Sequence, residues 1–131
     1  MTRRQARKRV LDCLYEAELG KSAEDCIEQY SDDKQYGFIK NFAKTVIANS
    51  GFCDEIISRY SKNWELDRIA SVDKLILRMG ISEIKKMKVD KRIAINEAVE
   101  LAKTYSTEKS PAFINGILNR AANDGEKTGG G

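Results

Sequence analysis

The sequence predicts an all-α protein of about seven amphipathic helices, in an N-terminal set and a C-terminal set that each form a small bundle packed on the other. Three observations carry this. Apolar residues recur at i, i+3, i+4 and i+7, as in Val72, Leu75, Ile76 and Met79, in Ile95, Ala98, Val99 and Ala102, and in Ile114, Ile117, Leu118 and Ala121. No segment of any length alternates with a period of two, as a half-buried strand would. The breaks between the periodic segments hold residues that stop or start helices, such as Gly20, Ser22, Gly51, Ser71 and the Ser110-Pro111 pair.

The first helix is expected to begin at Thr2 and to run to about residue 19, where Gly20 stops it. At about 100° per residue, Ala6, Val10, Cys13, Leu14 and Ala17 share one apolar arc. Arg3 and Arg7 flank that arc. Arg4 and Lys8 lie further round, on a side shared with Leu11 and Tyr15. Cations in a first turn oppose the helix dipole, so local stability would have preferred acids. A rule broken this densely points to another use, such as contact with phosphates, or to a solvated basic end. Tyr15 suits either the rim of the core or a partner-facing aromatic.

Ser22 opens a short helix, and Ser31-Asp32-Asp33 breaks the chain after it. The next helix, over about residues 34–49, carries Phe38, Phe42, Thr45 and Val46 and is expected to end at Gly51. A short helix with Ile56, Ile57 and Tyr60 follows. Residues 61–65 read as a hinge, with Trp64, the one tryptophan, sealing the core between the two halves. The domain then spans residues 1–124, with sub-bundles of about 1–62 and 63–124, and residues 125–131 form a flexible glycine-rich tail.

In the second half Ser71 is expected to cap a helix and Asp73 to favour its first turn. Gly80, in mid-helix, implies close packing of a neighbour. Arg78 and Glu83 read, from pattern alone, as exposed charges. Lys85, Lys86, Lys88, Lys91 and Arg92 make a second basic cluster whose role the pattern leaves open. The last two helices are joined by residues 106–111. Ser110 is read as the N-cap of the final helix, with Pro111, the only proline, just inside it. Phe113 lies at the edge of the apolar stripe. It is either a core ring or a partly exposed ring that, beside Lys109 and Asn115, can stack on and hydrogen-bond a single-stranded base. Gly116 reads as a second close approach of helices.

Composition excludes several classes. The chain of 131 residues is 41% hydrophobic and 33% charged, with a net charge of +3, so charge distribution rather than total must argue for nucleic acid. With no histidine, His-based catalysis and His metal sites are out. No phosphate loop, dinucleotide-binding glycine pattern or clustered cysteine ligand set is found, so neither cofactor nor metal is expected. Asp32-Asp33 and Asp54-Glu55 read as solvated acids, not a catalytic pair. No apolar run reaches membrane-spanning length, and no h-region follows the basic N-terminus, which implies the cytoplasm. Cys13, Cys26 and Cys53 are then expected as reduced, packed thiols.

The wording of the last third is specific as well as its period. Ile-Ala-Ile-Asn-Glu-Ala-Val-Glu-Leu-Ala-Lys over residues 93–103, then Glu108-Lys109-Ser110 and Phe113-Ile114-Asn115-Gly116-Ile117-Leu118, closely resembles the NusB family of bacterial transcription antitermination factors. The likeness also takes in Arg3-Arg4-Gln5-Ala6-Arg7, Leu14-Tyr15, and Leu77-Arg78 through Glu83. It implies two packed three-helix sub-bundles and no catalysed reaction. It also implies binding of boxA RNA from ribosomal-RNA leader transcripts together with NusE, a small-subunit ribosomal protein, and action on RNA polymerase.

By the same resemblance, Arg3, Arg4 and Arg7, with Lys8 on the same helix, meet RNA. The resemblance places Phe113 near the RNA surface, where Lys109 and Asn115 join it by their place beside the ring, and places Tyr15, Arg78 and Glu83 toward NusE. Two positions depart from the family: Lys109 stands where some members are acidic, and Pro111 replaces a non-proline. A lysine at 109 should favour phosphate. The rival readings are an RNA-binding accessory domain of a ribosomal-RNA methyltransferase, a self-associating homodimeric scaffold, and, more weakly, a DNA-binding helix-turn-helix.

Overall fold

The computed structural model describes residues 1–61 and 65–124. Residues 62–64 of the expected hinge, Trp64 among them, and the expected tail at 125–131 lie outside the described residues. Among those described the fold is all-α: seven α-helices and one 3₁₀ turn, with no strand. The chain divides into two compact units, Met1–Ala48 and Asn49–Gly131. The division thus falls after Ala48, not near residue 62. The helix count is three and four, because the fourth helix packs on elements of the second unit.

In the first unit α1 (Arg3–Glu18) packs on α2 (Ala23–Glu28) and α3 (Tyr36–Ala48), which also meet each other. Both ends of α1 are as the sequence predicts. The Thr2 hydroxyl accepts from the Gln5 N–H at 3.1 Å while the Thr2 N–H donates to Gln5 Oε1 at 2.8 Å, a reciprocal capping box. At the other end Gly20 takes φ +86°, and the N–H groups of Gly20 and Lys21 return to the carbonyls of Ala17 and Glu16. Ala6, Val10, Ile39, Phe42 and Ala43 are fully buried. Each large side chain among them contributes about 1.5–3 kcal/mol. Leu11, placed by the helical wheel beside Tyr15, is buried instead.

The cysteines correct an expectation. Cys13 on α1 and Cys26 on α2 form a disulfide, with Cα atoms 5.4 Å apart. Only Cys53 keeps a free thiol, and it is buried. Burial pushes that thiol's pKa up, opposed by its contact with the Ser82 hydroxyl. Cys53 is therefore a small packed group, as expected, and not a reactive one.

The second unit is built on α5 (Ser71–Lys85), which packs against α4 (Ser50–Tyr60), α6 (Lys91–Tyr105) and α7 (Ser110–Ala122). Gly80 permits the contact with α7: a Cβ there would stand 2.7 Å from Leu118 Cδ1. Two other glycine expectations fail. Gly51 lies inside the first turn of α4 and does not terminate α3, and no neighbouring helix approaches Gly116. Neither Ser71 nor Ser110 is an N-cap; Ala70 and Lys109 hold those positions. Val72 and Met87 are half-buried, while Leu75, Ile76, Leu77 and Met79 fill the core.

The ends of α4 and α7 are tied by Asp124. Its carboxylate accepts from Arg59 Nη1 at 2.7 Å and from the Tyr60 hydroxyl. Those two bonds, Tyr60 first, hold the Asp124 carboxyl below its usual value of 3.8. A depressed carboxyl stabilises the fold above its unfolded pKa and loses that contribution as pH falls through the folded value. Asp124→Asn should therefore lower the melting temperature at neutral pH, and the gap to wild type should close on acidification below pH 3.8. Thermal melts across pH 2–7 test this. Overpacking offers a second test: Gly80→Val should cost about 2–3 kcal/mol in urea unfolding, and Leu118→Ala in the same chain should recover part of it.

Candidate nucleic-acid interface

The start of α1 concentrates positive charge. Arg3, Arg4, Arg7, Lys8 and Arg9 precede the first acid, Asp12, and the first turn holds no acidic residue. The cations are not equivalent. Arg3 is exposed and sits 4.0 Å over the centroid of Phe38, a half-buried ring on α3. Arg7 lies 5.4 Å from the same ring and is only 7% exposed. Phe38 in turn meets Phe42 edge to face at 5.5 Å. A guanidinium stacked by one face keeps its edge donors for other oxygens.

Lys8 and Arg9 share Asp12, at 2.5 and 3.4 Å, and Arg4 is exposed. Of the cations expected from sequence, Arg3 and Arg4 are exposed and Lys8 is half-buried. Arg7 is a largely buried member of the group, and Arg9 adds a cation that the helical wheel did not single out. Phe38, read from sequence as part of the core stripe, is also the ring under two arginines.

In the second unit the link between α6 and α7 borders a pocket of about 270 Å³, lined by Arg68, Ile69, Ala70, Thr107, Lys109, Ser110 and Phe113. Phe113 is half-buried, so its ring belongs both to the core edge and to this pocket. Arg68 follows the 3₁₀ turn's first two residues (Leu66–Arg68) and, like Lys109, is exposed. The pocket therefore joins an aromatic ring and an apolar floor to two cations. That combination suits a planar base with its phosphates. Asn115 is exposed but is not among the lining residues; its side-chain oxygen accepts from Asn119 Nδ2 at 3.2 Å. Arg68 was missed because the stretch between the hinge at 61–65 and the next helix is too short to show a period that would assign it a face.

The three partner-facing candidates separate. Tyr15 is 42% exposed on α1. Arg78 is mostly buried and forks onto Asp54, Nε to Oδ1 at 2.7 Å and Nη2 to Oδ2 at 2.8 Å. Glu83 is 2% exposed. The pattern-based reading of Arg78 and Glu83 as exposed charges is therefore wrong. The helix period placed them off the main stripe, but α5 is surrounded on more than one side. In the second basic cluster Lys86 lies 4.2 Å over the Phe52 ring, and Lys88 adopts φ 58°.

The model of the NusB family matches residues 4–123. The chain belongs to the NusB family. Among curated relatives it is 39% identical over 124 residues to the transcription antitermination protein NusB of Listeria monocytogenes, covering 93% of this chain and 97% of that one. The NusB protein of Nitratiruptor is 38% identical over 129 residues, covering 94% and 93%. Both relatives are transcription antitermination proteins.

Among solved structures, T. maritima NusB superposes with a TM-score of 0.86 at 32% identity, covering 95% of this chain and 92% of that one. A chain of the crystal structure of antitermination factors NusB and NusE in complex with double-stranded RNA gives 0.80 at 25% identity, covering 95% and 99%. The NusB-family fold of this chain contains no helix, among the described residues, long and apolar enough to cross a membrane. Among the same residues no group of three or more His, Cys, Asp or Glu could hold a metal ion.

Proposed function

We propose that this NusB-family chain is an RNA-binding transcription antitermination factor. It binds boxA RNA of ribosomal-RNA leader transcripts together with NusE, and the pair acts on RNA polymerase. The observation that carries the reading is the basic start of α1: five cations before the first acid, with two guanidinium groups arranged over Phe38. A structure-forming role alone would favour acids at a helix N-terminus. Its likeness to a chain from a NusB, NusE and RNA complex supports the same partners. Exposed Tyr15 is the proposed point of contact with NusE. Arg78 and Glu83 support a partner surface from within, one through Asp54 and the other as a buried carboxylate. Lys109, Phe113 and Asn115 bring a base and phosphate contact from the second unit.

Phosphate contacts by few cations make binding salt-sensitive, and a partner with its own RNA-facing surface adds affinity through the shared ligand. A titration of boxA-like RNA, a scrambled control and a duplex form, at two salt concentrations with and without NusE, tests this. NusE should tighten binding of the boxA sequence over the scrambled one. Arg4→Glu should weaken it about 5–10-fold and lower the salt slope by about 1. Equal binding by the pair and by this chain alone, or equal binding of scrambled RNA, would contradict the reading.

A further inference from the structure

Lys109 and Phe113 reach the pocket from a link that has few local reasons to hold one shape. Residues 106–109 are polar, and neither end of the link has a side-chain cap of the usual kind. The N-cap of α7, Lys109, makes no side-chain capping bond. What holds the link is remote in sequence. Asp73, in the first turn of α5, is 7% exposed. Its two oxygens accept from the hydroxyls of Ser106 and Ser110, residues 33 and 37 positions away, the second at 2.8 Å.

The protons define the arrangement. The one hydroxyl hydrogen of Ser106 and the one of Ser110 are both directed at the carboxylate. The Ser110 oxygen is then left as an acceptor. It receives the Thr107 N–H at 3.3 Å and lies 2.8 Å from the Thr107 hydroxyl, which supplies the remaining hydrogen. Both ends of the link are thereby anchored to one buried, acceptor-only group. That group sits at a helix N-terminus, where negative charge is favoured. Ser110 lines the pocket, and Lys109 and Phe113 flank it in the chain.

We infer that Asp73 is the positioning residue of the RNA-binding pocket. Its carboxylate fixes the link so that Lys109 and Phe113 meet the same nucleotide as Arg68. The inference rests on the RNA-binding reading above. It assigns Asp73 no contact with RNA.

The test uses the full chain with NusE. Asp73→Ala removes the anchor, and Ser106→Ala, outside the pocket lining, removes one arm of it and guards against a variant that fails to fold. Hydrogen exchange reports the link without RNA: amides of residues 106–110 should exchange at least about tenfold faster in Asp73→Ala, with the interior of α6 and α7 unchanged. Affinity for boxA-like RNA should fall about fivefold, and less in Ser106→Ala. Phe113→Ala should then cost less than about twofold more in the Asp73→Ala background, whereas Arg4→Glu should cost its full amount, since only the first shares a pathway with Asp73.

Unchanged link exchange in a folded Asp73→Ala would overturn the inference. So would wild-type affinity, or full additivity with Phe113→Ala. Absence of RNA binding by wild type would overturn the RNA reading and remove this inference with it. That outcome differs visibly from failure of the inference alone, in which wild type and Asp73→Ala bind alike.

Discussion

α5 lies against α7 at a point where one of the two helices has no side chain. With any Cβ at position 80, Leu118 would have to move, and Leu118 is fully buried. Dense interiors do not yield such space cheaply. The rest of the second unit follows from that approach. The N-terminal end of α5 carries Asp73 and so holds the link before α7. The middle packs Ile76, Leu77 and Met79. The later turns place Arg78 against Asp54 and Ser82 beside the Cys53 thiol. One helix therefore sets the core and, at its first turn, the shape of a surface feature.

The two candidate contact regions, one in each unit, use different physics. At the start of α1 charge is concentrated against the preference of the helix dipole. A reciprocal cap at Thr2 and Gln5 and an ion pair from the chain's terminal ammonium to Asp33 at 3.0 Å keep the end of the helix in place. Arg3 and Arg7 share the Phe38 ring, while Arg9 pairs with Asp12. At the α6–α7 link charge is sparse, with two cations beside an apolar pocket, and a buried carboxylate supplies the order. The first arrangement suits a polyanion generally. The second suits a single planar group with a phosphate near it.

Much of this was legible in the sequence. The helices follow from apolar period, and the stop at Gly20, the cap at Ser22 and the tight contact at Gly80 follow from local chemistry that the fold leaves intact. The misreadings share a cause. Ser71 and Ser110 have the right residue type for caps, yet Ser110 spends its hydroxyl on a residue 37 positions earlier, which no local rule can show. Arg78 and Glu83 were read as surface because a single apolar stripe implies a single buried face, while α5 has three helical neighbours. Arg7 is polar by type and buried by its place over Phe38. Arg68 enters the pocket only because the chain folds the link back beside it. The Cys13–Cys26 bond joins two helices whose spacing carries no cysteine motif.

The most direct test of the account is a map of backbone amide shifts when boxA-like RNA is added to the isotope-labelled chain in the presence of NusE. The account predicts that the largest RNA-dependent shifts fall in residues 3–9 and in residues 68–70 and 107–115, with the centres of α4 and α6 unmoved. RNA-dependent shifts confined to other elements, such as the Lys85–Arg92 cluster, or no shifts at all, would contradict it.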